Sequence, residues 1–103
     1  MTDSIEQGDG SERRIALRRR TLKEGRIVFG DLHNKTISCT IRDMSDTGAR
    51  IQVESTQDIP ESFYLYIVQS RQRAVVEVRW RTMTSMGVEF FEPLKDIPRA
   101  MKI

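Results

Sequence analysis

From Leu22 to Phe91 apolar and polar side chains alternate with a period of two, the spacing that sends successive residues to opposite faces of a β-strand. The alternation breaks into six segments, 22–29, 35–42, 49–54, 62–69, 72–83 and 85–91. In the second, Ile37, Cys39 and Ile41 oppose Ser38, Thr40 and Arg42. In the third, Ala49, Ile51 and Val53 oppose Arg50, Gln52 and Glu54. Phe63, Leu65 and Ile67 make an inward row in the fourth, with Tyr64, Tyr66 and Val68 on the other side, so this strand is expected to be covered on both faces. Val76, Val78 and Trp80 are expected inward in the fifth, and Met86, Val88 and Phe90 in the sixth.

Turn chemistry separates the segments. Gly30-Asp31-Leu32-His33-Asn34 reads as a hairpin loop, Asp58-Ile59-Pro60-Glu61 as a longer connection, and Ser70-Arg71 as a tight turn. Short connections favour antiparallel pairing of consecutive strands. Six short antiparallel strands hide their apolar face most economically by curling into a small barrel, which also removes exposed edges. The expected fold is therefore an all-β, six-stranded antiparallel barrel over residues 22–92. Pro93 and Pro98 leave room for at most a short helical turn in a carboxy-terminal tail, 93–103.

At 103 residues, the chain has material for one core and none for a second domain. No apolar run is long enough to span a membrane, and the first dozen residues are acidic where a secretory signal would be basic and then apolar, so a cytoplasmic protein without membrane insertion is expected. A lone cysteine, Cys39, excludes an internal disulfide and makes a structural zinc site an unattractive reading. The only histidine, His33, falls in a hairpin loop and reads as a solvated loop residue. No Ser or Cys with a histidine and an acid, no glycine-rich phosphate loop and no metal-ligand cluster is evident. The expectation is a non-enzyme with no cofactor and no metal.

Charge changes this picture by its placement. The net charge is only +2, but residues 1–12 carry four acids and no base, while residues 13–26 carry seven bases and one acid. An acidic, disordered tail (1–12) thus precedes a basic arm (13–21). Thirteen of the 17 basic residues are arginine, whose planar guanidinium can grip a phosphate with two hydrogen bonds and stack on a base. A phosphate or nucleotide partner follows from that chemistry.

Two short constellations stand out. Arg14 and Arg18 form an RxxxR pair that can pinch one ligand, a spacing that is common in an arginine-rich chain and can equally belong to a solvated arm. Asp43-Met44-Ser45-Asp46-Thr47-Gly48 forms DxSxxG between two predicted strands and is far rarer by composition. It makes a good turn, with Asp43 and Ser45 accepting from backbone N–H groups and Gly48 free to take positive φ. It also suits a nucleotide: a carboxylate can accept from N1–H and N2–H of a guanine, and a position without Cβ allows close approach.

RxxxR, DxSxxG about 25 residues later, and a six-stranded pattern ending in Gly87-Val88-Glu89-Phe90 together resemble a PilZ domain from Arg13 to about Phe91. The resemblance implies a receptor for the bacterial second messenger cyclic di-GMP. It implies that Arg14 and Arg18 contact phosphates and guanine faces, and that Asp43, Ser45 and Gly48 surround a guanine. Arg13, just before the motif, is implied to influence how many ligand molecules are held, which allows two per chain. The arm runs on as Arg19-Arg20-Thr21-Leu22-Lys23, more basic than is usual in that family, so the gripping arginines can shift by a residue. The expected function is an adaptor whose arm changes conformation on binding and which signals to a separate, unidentified partner protein. A ligand-independent interaction module is the alternative. A nucleic-acid-binding barrel is weaker, because the net charge is low and the exposed strand faces mix signs.

Overall fold

The computed structural model describes residues 19–103. Six strands form the barrel: β1 (Arg19–Phe29), β2 (Lys35–Met44), β3 (Gly48–Gln52), β4 (Ser62–Ile67), β5 (Gln72–Arg81) and β6 (Ser85–Phe90). A two-residue strand, β7 (Lys95–Asp96), follows. All pairings are antiparallel, and the circuit β1-β2-β3-β6-β5-β4 closes on itself through β4 and β1. Every expected strand is present. β1 begins earlier than alternation suggests, because Arg19, Arg20 and Thr21 belong to the sheet and not to an arm. Residues 1–18, with the acidic tail and Arg13, Arg14 and Arg18, lie outside the described residues.

Consecutive pairing holds at four of the five junctions and fails at one. β3 pairs with β6, and β4 with β1, in place of β3 with β4. The stretch from Val53 to Glu61 is too long for a hairpin and crosses the end of the barrel instead. It is tied down by Val53 N–H donating to Thr84 O, Thr56 N–H to Met83 O, and the Thr56 hydroxyl to Thr82 O at 2.6 Å. These bonds satisfy Thr56, which is buried.

The alternating apolar set fills the interior as its period requires. Ile27, Ile41, Ile51, Leu65, Ile67, Val76 and Met86 are fully buried, and each contributes on the order of 1.5–3 kcal/mol from surface removed from water. β4 is covered on both faces as expected, but by a segment that the sequence does not announce. β7 pairs with the start of β5, and Ile97 joins Val28 and Tyr66 in a second apolar cluster outside the barrel. Arg71 fastens this tail, with its Nη2 donating to Pro98 O and Met101 O, both at 2.9 Å. The carboxy-terminal residues thus add a strand, with only a tight turn from Pro98 to Met101 after it.

Cys39 faces inward, and burial pushes its thiol up to about 12, against a small opposing pull from the Arg26 guanidinium. The thiol is the inert, protonated kind. Native protein at pH 7 is expected to react with a thiol-specific chromogenic reagent only on denaturation; fast native labelling would contradict this packing. Because the folded pKa lies above the unfolded value of 9.0, the thiol's contribution is complete below pH 9 and is lost as pH rises toward 12. Denaturant melts should show the stability gap between the parent and Cys39→Ala narrowing across that interval.

Candidate functional site

The DxSxxG sequence occupies the hairpin between β2 and β3, and a register shift places its aspartate. Ile41 pairs with Ile51, but Asp43 pairs with Arg50 and Met44 with Ala49, so Arg42 is an extra residue on β2. A bulge of this kind re-aims the side chains that follow it. Without it, Asp43 would continue the inward series of Cys39 and Ile41. With it, Met44 packs on the core and the Asp43 carboxylate lies beside outward-facing Arg50. Arg50 Nε donates to Asp43 Oδ2 at 2.5 Å, in a pair whose carboxylate is mostly covered and whose guanidinium is 40% exposed. Asp43 is thus an acceptor for Arg50, where the sequence suggested a backbone N–H.

Ser45 does hold the turn as expected. Its N–H donates to Gly48 O at 2.9 Å, and its hydroxyl accepts from Thr47 N–H at 3.3 Å and lies 3.2 Å from the Thr47 hydroxyl. Gly48 is needed for another reason than positive φ. A Cβ there would collide with the backbone carbonyl of Val88 on β6, so glycine permits β3 and β6 to approach.

The row containing Asp43 continues across the sheet. Arg20 pairs with Asp43, Asp43 with Arg50, Arg50 with Gly87, and Gly87 with Trp80. Trp80 corrects a sequence expectation: it faces outward and is 45% exposed. The cause is a second bulge, at Arg79, since Val78 pairs with Val88 but Trp80 with Gly87. The shift turns Trp80 out and Arg81 toward the barrel end, where Arg81 Nη1 donates to Thr56 O and Ile59 O, both at 2.8 Å. The Trp80 indole lies over Gly87, where any Cβ would overlap its ring. Beside it, Glu77 and Glu89 sit opposite one another, and Arg79 pairs with both carboxylates.

Asp43, Ser45 and Gly48 are therefore brought together on one hairpin, next to two groups that alternation alone did not single out, Arg50 and Trp80. Arg50 looked like an ordinary polar position, and the phase change at Arg79 has no signature in a binary pattern. Arg13, Arg14 and Arg18 lie outside the described residues, but the backbone that follows them enters the barrel beside this hairpin, with Arg19 and Arg20 paired to Met44 and Asp43. The row offers a carboxylate acceptor, a guanidinium donor and an aromatic face. Such a surface can read the edge of a planar heterocycle and stack on its face. Among the described residues no helix is long and apolar enough to cross a membrane.

Residues 12–101, most of the chain, match the family model described as PilZ domain. Comparison with curated proteins finds no match.

Replacing Gly87 with alanine should displace the sole tryptophan from its seat. The expected result is a shift of its emission to longer wavelength and a stability loss of about 1–3 kcal/mol, the scale of overpacking. An unchanged emission spectrum would mean that the indole does not depend on Gly87.

Proposed function

The chain belongs to the PilZ domain family, a family of cyclic di-GMP receptors, and we propose that it binds cyclic di-GMP across the Asp43–Trp80 row and passes the signal to a separate protein. The observation that carries this reading is the register Arg20-Asp43-Arg50-Gly87-Trp80, which aligns an acceptor, a donor and an aromatic face beside the point where the arginine-rich segment joins the barrel.

Each residue has a role set by its chemistry. The Asp43 oxygen not engaged by Arg50 accepts from a guanine N1–H and N2–H, and Ser45 and Gly48 hold the hairpin that presents it. Trp80 stacks on a purine, an interaction on the order of 1–3 kcal/mol. Arg14 and Arg18 grip the phosphates with charge-assisted hydrogen bonds. Arg13 stacks on a further purine, so that a second, intercalated cyclic di-GMP is held and the stoichiometry is two per chain. Closure of the arm over the ligand changes its conformation and presents a new surface, which is the adaptor's output.

Calorimetric titration with cyclic di-GMP, with GTP as control, tests the reading. Saturable heat is expected at tens of micromolar protein, and its absence would favour a ligand-independent interaction module. Arg14→Ala and Arg18→Ala should each lose about 1.5–3 kcal/mol, roughly ten- to a hundredfold in affinity, with the fold intact. Asp43→Ala should weaken binding and also lose stability on the order of 1 kcal/mol, because Arg50 loses its partner.

Binding should also quench Trp80 fluorescence. A saturating titration by calorimetry without any change in tryptophan emission would remove Trp80 from the site. At protein concentrations well above the dissociation constant, the ratio should fall from two toward one in Arg13→Leu. A ratio of one in both proteins would refute the paired ligand. Hydrogen exchange at residues 13–20 should slow on binding; equal rates with and without ligand would refute arm closure.

A further inference from the structure

β1 runs from the hairpin site to a second feature at its other end. There the loop after β1 and the carboxy-terminal segment border a cavity of about 450 Å³ on the outside of the barrel. Val28, Tyr66 and Met101 give it an apolar wall, while Arg26, Arg73 and Lys102 bring three cations to it. No aspartate or glutamate side chain is among its lining residues. Arg26 already has an acid, Glu24, whose carboxylate lies 2.6 Å from Nη1.

Arg73 is different. Its guanidinium lies 5.2 Å from the Tyr64 ring centre and 5.6 Å from that of Tyr66, and its Nη1 donates to the Tyr66 hydroxyl at 2.8 Å. These contacts fix its direction without neutralising it. Neither Arg73 nor the exposed Lys102 pairs with a carboxylate among the described residues. Two oriented or free cations beside an apolar cavity have an obvious chemical complement, an anion carried next to an apolar group.

The rim shows what size of anion. Leu32, in the hairpin tip at the cavity mouth, is 96% exposed and sits in the left-handed region at φ 56° and ψ 22°. That conformation is strained for an L-residue, and an exposed side chain returns nothing from burial. The turn would be better made by asparagine or glycine. Strain held at an exposed apolar residue marks a functional constraint. A small ligand within the cavity leaves Leu32 without use, whereas a peptide crossing the rim covers it.

We propose that this end of the barrel docks an acidic segment of a partner protein, one that carries carboxylates beside a large apolar side chain. The apolar side chain enters the cavity, the carboxylates pair with Arg73 and Lys102, and Leu32 is buried under the segment. This gives the adaptor's partner a chemistry and a surface apart from Asp43. It extends the adaptor reading, and its test is run without cyclic di-GMP so that the two can fail separately.

The experiment is a titration of the ¹⁵N-labelled full chain with the peptide acetyl-Glu-Leu-Glu-Phe-Glu-Leu-Glu-amide, followed by amide chemical shifts. Saturable shifts are expected at Leu32, His33, Arg73 and Lys102. Binding should weaken at least fivefold in Lys102→Glu and in Leu32→Asn, and Leu32→Asn should melt at the same temperature as the parent or higher, since asparagine suits the turn.

Four results would overturn the proposal. One is absence of saturable shifts at these amides up to millimolar peptide, and another is equal binding of the peptide with every glutamate changed to glutamine. A third is tighter binding of 4-phenylbutyrate than of the peptide, unaffected by Leu32→Asn, which would assign the cavity to a small organic anion. The fourth is that deleting residues 1–12 by itself shifts the same amides, which would give the cavity to the chain's own acidic segment.

Discussion

The interior of this barrel accepts one face of each strand, and the outer row that runs from Asp43 to Trp80 depends on where that phase is allowed to slip. β2 and β5 are each ten residues long, and neither keeps its alternation to the end. Continued inward phase on β2 would drive the Asp43 carboxylate into a core of isoleucine, leucine and methionine, where an unpaired ion is prohibitively expensive. One extra residue, Arg42, removes that conflict and delivers the carboxylate to Arg50. On β5 the extra residue is Arg79. It exchanges Trp80 for Arg81 at the barrel end, where a guanidinium can cap carbonyl groups that an indole could not satisfy. The two bulges are what line up an acid, a base and an aromatic across neighbouring strands.

That arrangement explains which parts of the molecule were legible in the sequence. Period-two alternation reports burial directly, so Ile37, Cys39 and Ile41, or Phe63, Leu65 and Ile67, identify their strands and their faces. The DxSxxG hairpin was legible too, because a turn needs particular side chains. Trp80 was not, since a bulge is a choice made by cross-strand packing and leaves the hydrophobic pattern unchanged. The exchange of partners between β3 and β4 was hidden for a related reason. Sequence proximity favours neighbours, but the connection from Val53 to Glu61 is long enough to close the barrel end, and the residues that anchor it, Thr84 and Met83, are far along the chain. At Gly48 the turn chemistry of the sequence suggests a dihedral requirement, but the obstacle to a side chain lies on β6 and not in its own dihedral angles.

The barrel also separates its two surfaces. β1 starts beside Asp43 and ends beside the cavity formed with the carboxy-terminal segment, and between them its centre is clamped by β2 on one side and β4 on the other. A closed sheet of this kind has no free edge along which to slide. Among the described residues, change on binding is therefore expected in what lies outside the circuit: the hairpin tips and the tail held by Arg71. Such peripheral elements carry fewer buried contacts and open at lower free energy than the core strands.

The charge of the hairpin site follows the same division. Asp43 and Arg50 neutralise one another, and Glu77 and Glu89 together outweigh Arg79, so these paired residues bring no net positive charge toward a dianionic ligand. What they add is direction. On the proposed reading, a carboxylate held through one oxygen by Arg50 would already be fixed in place before a ligand arrives, and pre-organisation of this sort reduces the ordering needed at binding. In the proposed complex the phosphates would be matched by the arginines gathered from Arg13 to Arg20, which carry the chain's densest positive charge. Long-range attraction, screened by salt, would belong to that segment, whereas discrimination between bases would belong to the row. On the proposed reading the acidic residues before Arg13 would act on the first quantity and leave the second untouched, so affinity and selectivity would rest on different stretches of the chain.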